Sequence, residues 1–145
     1  MMDVQAAINW LNEASDFLQI ARKGLKPFHA VAASEKKFLA HQRDYLDIRL
    51  GQIVPAASEI VTLLEAQQVL LMAQPQNYVA LVKALRLFFF EVQKTQERKR
   101  EIIAADFENA MHPEGEFSGE TLSFRMTSAS DEMLASLLSK VARPA

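Results

Sequence analysis

Hydrophobic residues recur every three to four positions through most of the chain, the period of helices that bury one face. Val4, Ile8, Leu11 and Leu18 form the first stripe, flanked by Trp10 and Phe17. Asp3 can cap this helix, Arg22 and Lys23 suit the negative end of its dipole, and Gly24-Leu25 reads as a left-handed C-terminal cap, so the pattern predicts a helix over 4–23. A second helix is expected over 28–50, ending at Gly51. A third follows over 55–73, with Pro55 in its first turn and Ile60, Leu64 and Leu71 on its inner face. The alternative is one helix kinked near Gly51–Pro55. Gln74-Pro75 breaks the chain again. From Asn77 to Met111 there is neither glycine nor proline, which predicts a fourth helix of about 35 residues and roughly 50 Å, with Tyr78, Leu81, Val82, Leu85, Phe89 and Val92 inward.

Beyond it the period changes. "HPEGEFSG" is expected to be loop, and "TLSFRMT" alternates Leu122, Phe124 and Met126 with polar residues, as an extended segment does. "SASDEMLASLLSKVAR" closes the chain as an amphipathic helix with Ser128 and Asp131 arranged as a capping box. The expected fold is all-α: a single domain over 1–145, comprising an antiparallel up-and-down four-helix core (1–111), an extended arm (112–127) and a short C-terminal helix (128–143).

The stretch "LRLFFFEVQKTQERKR" holds Phe88, Phe89 and Phe90 in succession. At about 100° per residue they fan over roughly 200°, placing Phe89 on the stripe, Phe88 on a flank and Phe90 outward beside Leu87 and Val79. The hydrophobicity ends just after them. If the other helices span only about 19–23 residues, the fourth outruns them near residue 97, and "KTQERKRE" is then a solvated stretch with charges paired three apart. Ile102, Ile103 and Phe107 make a distal patch. The C-terminal helix, with the Leu122–Met126 arm beside it, is the expected cover for that patch; the alternative is a second subunit, for which Val79, Leu87 and Phe90 supply further interface.

The 145 residues are enough for one real core, and a composition of 50% hydrophobic and 23% charged residues is that of a folded chain. A net charge of −2 gives no global pull toward nucleic acid or anionic membrane. With no cysteine, disulfides, thiolate metal sites and cysteine nucleophiles are excluded, and a cytoplasmic location is the simplest expectation. The N-terminal residues lack a basic n-region, which argues against a signal peptide. Lys83, Arg86, Lys94, Arg98, Lys99 and Arg100 are interleaved with acids, so no basic stripe for nucleic acid is expected.

Glu35, Gln42 and Arg49 lie seven apart, between an apolar edge of Val31, Phe38 and Tyr45 and another of Ala32, Leu39 and Leu46. A polar row inside a buried arc must be hydrogen-bonded, and Gln67 and Gln96 are the expected partners. Alternatively the row lines a polar groove between helices. His112 sits among Asp106, Glu108, Glu114 and Glu116 without metal-site spacing, and no Glu-x-x-His pair marks a di-iron bundle, so neither metal nor cofactor is expected.

"RKGLKPFH" has an Arg-x6-His spacing and in these eight residues resembles the HEPN-type RNases, which are helical bundles. The resemblance implies Arg22 and His29 as a catalytic pair. The stretch departs from the family's pattern where Gly24 and Pro27 interrupt the presenting helix and where Lys23, rather than a polar residue, follows the arginine. The residues favour a non-enzymatic protein-interaction module — an adaptor, chaperone or inhibitor of a protein partner — working as a homodimer. A HEPN-like RNase and a small helical nucleic-acid-binding regulator are the alternatives.

Overall fold

The computed structural model describes residues 2–111 and 131–142. Its helices are α1 (Val4–Lys23), α2 (Lys36–Ala66), the short α3 (Gln68–Met72), α4 (Pro75–Met111) and α5 (Asp131–Ala142). The fold is all-α, with no strand among the described residues. The expected arm, with Leu122, Phe124 and Met126, lies outside them.

Local sequence sets most boundaries. The Asp3 carboxylate accepts the Ala6 N–H at 3.2 Å and opens α1. Gly24 ends it without the expected left-handed cap: its φ is −85°, and two tight turns, Gly24 N–H to Ala21 and Leu25 N–H to Arg22, close the helix instead. A right-handed glycine suffices because Leu25 and Phe28, both buried, anchor the chain that follows. The second helix starts later than expected. Residues Phe28–Ala30 and Ala33–Glu35 form 3-10 turns, and the Phe28 N–H is committed to the Asp106 carboxylate at 2.8 Å.

The second and third expected helices are one, as the kinked alternative had it. α2 runs 31 residues through Gly51 and Pro55. Pro55 leaves the Gly51 carbonyl without its intrahelical donor, but both residues face solvent, where water can replace it. Ile53, Val54 and Ala57 are buried around the break and hold the helix to the core.

α4 is the organising element, packed against α1, α3 and α5. Phe88 and Phe89 are fully buried with ring centroids 5.2 Å apart, and Trp10 of α1 meets Phe88 at 6.1 Å. Phe90 points outward, 48% exposed, with the Lys94 ammonium 5.3 Å over its ring. The three rings therefore fan as the helical period requires.

α4 does not outrun its neighbours at residue 97. Thr95, Gln96, Lys99, Ile102 and Asp106 are all buried. Two features extend the cover: α2 is continuous, and residues 25–30 fold against the distal half of α4, where the Leu25 carbonyl accepts from Arg98 and the Phe28 N–H donates to Asp106. Ile102, expected at an interface, is fully buried and belongs to the core. The expected C-terminal cover does not reach it: Lys140 of α5 pairs with Glu65 and borders a cavity with Tyr78, about 36 Å along α4 from Ile102, farther than a 12-residue helix spans. Ile103 is half-buried, and Phe107 stays exposed.

Candidate functional site

The buried arc of α2 runs through Leu39, Arg43, Leu46 and Leu50. Phe38 and Tyr45 each precede a member of that arc by one residue, about 100° of turn, and so fall at its rim. Opposite them α1 presents Phe17, Ile20 and Ala21. The result is an open groove between α1 and α2. One end, about 190 Å³, lies among Phe17, Ile20, Leu25, Tyr45 and Leu46. The other, about 330 Å³, lies among Lys23, Lys26, Val31, Glu35 and Phe38. Gly24 and Gln42 border both ends.

The groove is aromatic and only partly occupied by its own side chains. Phe17 and Tyr45 meet edge to face at 5.8 Å, and the Arg49 guanidinium stands 5.7 Å from the Phe17 ring. Ile20, Phe38 and Tyr45 are each more than half exposed, at 70%, 67% and 56%. A side chain at Gly24 would meet only ordinary contacts, the nearest across the groove being the Gln42 amide at 3.9 Å, so glycine here leaves the groove open.

This geometry corrects the expected buried row. Glu35 and Gln42 are exposed along the groove, and Arg49 is half-buried and donates to Gln52 at 2.8 Å. The apolar arc of α2 is rotated away from them, toward Leu39 and Leu46, so the row is not an internal network. Gln67 instead accepts the Met2 N–H at 3.1 Å.

The buried polar residues are others. Arg43, fully buried, donates to Asp106 at 3.0 Å and to the Lys26 carbonyl at 2.7 Å, with its guanidinium 3.9 Å over the Phe28 ring. Lys99, also fully buried, bonds Asp47 at 2.6 Å. Glu91 accepts from Arg22 at 2.7 Å and from Gln19 at 3.3 Å. Burial pushes the Arg43 and Lys99 pKa values down, against the opposing pull of Asp106 and Asp47. These pairs tie α4 to α1 and α2. The sequence carries their signal: Leu85, Phe88, Val92, Thr95, Lys99, Ile102 and Asp106 keep one unbroken period of three and four. Arg43 likewise sits between Leu39 and Leu46 on the apolar arc.

The remaining expected site residues are dispersed. Arg22 lies against Glu91 and Thr95, whereas His29 borders a cavity with Ala105, Glu108 and Asn109. Those positions are about 15 Å or more apart along α4, so the RNase-like pair does not converge. Of the expected basic residues, Lys99 is buried and Arg98 donates to Glu101 and to the Leu25 carbonyl. Val79, Leu87 and Phe90 are exposed on α4. Among the described residues no cluster of three histidines and acids is placed to hold a metal, and no helix is long and apolar enough to cross a membrane. His112, Glu114 and Glu116 lie outside them. Comparison with protein-family models, with curated proteins and with solved structures finds no match.

Proposed function

We propose that the chain is a cytoplasmic, non-enzymatic protein-interaction module that seats a protein partner in the α1–α2 groove and itself pairs as a homodimer. The observation that carries this reading is the groove: Ile20, Phe38 and Tyr45 stand exposed around one concave, aromatic-lined surface. Each such side chain gains about 1.5–3 kcal/mol on burial, and aromatic side chains of this kind anchor protein interfaces. Glu35, Gln42 and Lys23 around the apolar floor supply the polar groups that orient a bound segment.

The test is affinity capture from the native host with wild-type protein and with Ile20→Glu and Phe38→Glu. Both positions are exposed, so the variants should keep wild-type stability while losing the captured partner. Capture that persists undiminished with both variants would sink the groove as the binding site.

A further inference from the structure

α4 carries an uncovered outer stripe whose charges change sign halfway. Exposed positions recur at Val79, Lys83, Leu87, Phe90 and Lys94, and then at Glu97, Glu101, Ala104 and Glu108. The spacing of three and four keeps them on one face of the helix. Before Thr95 the charges that project from the centre of this stripe are basic; after Gln96 they are acidic, with Arg100 on a flank about 100° away. Apolar residues sit in the basic half.

Two copies laid side by side in parallel would set Lys94 against Lys94 and Glu97 against Glu97. An antiparallel pair about a two-fold axis crossing α4 between Thr95 and Gln96 reverses this. Lys94 then meets Glu97 of the second copy, Lys83 meets Glu108, and Leu87 meets Ala104. Phe90 lies opposite Glu101, whose carboxylate is already drawn sideways to Arg98 at 3.2 Å. The two-fold repeats every contact, so one register satisfies both ends at once. The like-charge parallel arrangement is excluded by the same residues.

We infer that the outer stripe of α4 is a homodimer interface, in which a second copy packs antiparallel in the register that opposes Lys94 to Glu97. The inference deepens the homodimer part of the proposed function and does not involve the groove.

Sedimentation equilibrium of the full chain at micromolar concentration tests it. Wild type should dimerise. Lys94→Glu and Glu97→Lys should each weaken the dimer roughly tenfold or more, because each turns two attractive contacts into two repulsive ones. Mixed together, the two variants should form a heterodimer, since the reversed charge at position 94 of one copy then meets the reversed charge at position 97 of the other. The double variant Lys94→Glu/Glu97→Lys should dimerise like wild type. Both positions are exposed, so folding is not at issue. Ile20→Glu, in the groove, should leave the dimer intact, which separates failure of this interface from failure of the groove. A wild-type monomer overturns the inference and leaves the stripe to another occupant. So does a dimer indifferent to both charge reversals, or one abolished by Ile20→Glu.

Discussion

The two halves of α4 are buried by largely opposite means, Glu91 being the one buried charge of the first half. Up to Val92 the inward positions are Tyr78, Leu81, Leu85, Phe88 and Phe89, packed against apolar side chains of α1 and its neighbours. Beyond Val92 they are Thr95, Gln96, Lys99 and Asp106, interrupted by a single apolar residue, Ile102. Both halves keep the same helical period, so the backbone places them alike. What differs is how burial is made favourable. The first half gains in proportion to apolar area and asks little about partner identity. The second half gains only where each charge meets its counterpart, and attraction offsets a desolvation cost that area never incurs. One consequence is specificity: Arg43–Asp106 and Lys99–Asp47 fix the register of α4 against α2 in a way interchangeable leucines would not.

Removal of one partner separates the two halves most sharply. Asp106→Ala strips Arg43 of its carboxylate and the Phe28 N–H of its acceptor, both in a fully buried setting. It should cost about 3–5 kcal/mol, read from urea denaturation of the full chain. Replacing Arg43 and Asp106 together by Met and Leu should recover most of that loss, since no uncompensated charge remains. In the apolar half, by contrast, Leu85→Met changes little volume and should cost less than about 1.5 kcal/mol. Equal losses in the two halves would show that the ionic half behaves as ordinary core.

Lys99 sharpens the same contrast through pH. Burial lowers its folded pKa below the ordinary 10.5, with the Asp47 bond opposing the shift. Between the folded value and 10.5 the unfolded chain therefore binds more protons than the folded one, and stability rises with pH across that window. At lower pH the desolvation burden is carried in full. Lys99→Met removes the titrating group while keeping most of its volume. The stability difference between wild type and Lys99→Met should move in favour of wild type as pH rises toward 10.5. A difference that is flat across this range, or that moves the other way, contradicts a depressed Lys99.

Apolar patterning reads the first half of α4 directly; in the second half the same period of three and four continues, but through polar residues. The α1 stripe follows from apolar spacing, the length of α4 from the absence of glycine and proline over 77–111, and the fan of Phe88, Phe89 and Phe90 from the helical turn of about 100° per residue. The choice between two helices and one across Gly51–Pro55 does not: spacing leaves it open, and burial of Ile53, Val54 and Ala57 decides it. Apolar spacing misplaces the face of α2 because Phe38 and Tyr45, large and apolar, count toward a buried arc although they rim a groove. Arg43 counts against that arc although it is its centre. Lys99 and Asp106 look solvated in the sequence for the same reason. Their partners, Asp47 and Arg43, stand more than fifty positions away, and no local pattern joins them. The groove is legible only as an alternative, since Glu35, Gln42 and Arg49 mark its wall without saying whether the wall faces protein or water.

The smallest effect belongs to a charge pair on the same helix that stays in reach of water. Arg98 and Glu101 are one turn apart on α4, 3.2 Å from each other, with side chains 36% and 67% exposed. Chemically they repeat Arg43 and Asp106, a guanidinium and a carboxylate at nearly the same separation, but solvent screens them and neither is fully desolvated. Their coupling in a double-mutant cycle, using Arg98→Gln and Glu101→Gln, should be about 0.3–0.5 kcal/mol and should fade as added salt shortens the screening length. The Arg98 single variant loses somewhat more, because Arg98 also donates to the Leu25 carbonyl at 3.3 Å, but the cycle cancels that contact and isolates the pair. Setting this coupling beside that of Arg43 with Asp106 separates pairing from burial: bond chemistry is held nearly constant and only exposure changes. A surface coupling as large as the buried one would mean that geometry, not desolvation, controls both pairs, and the distinction between the two halves of α4 would then lie in the charges themselves rather than in what surrounds them.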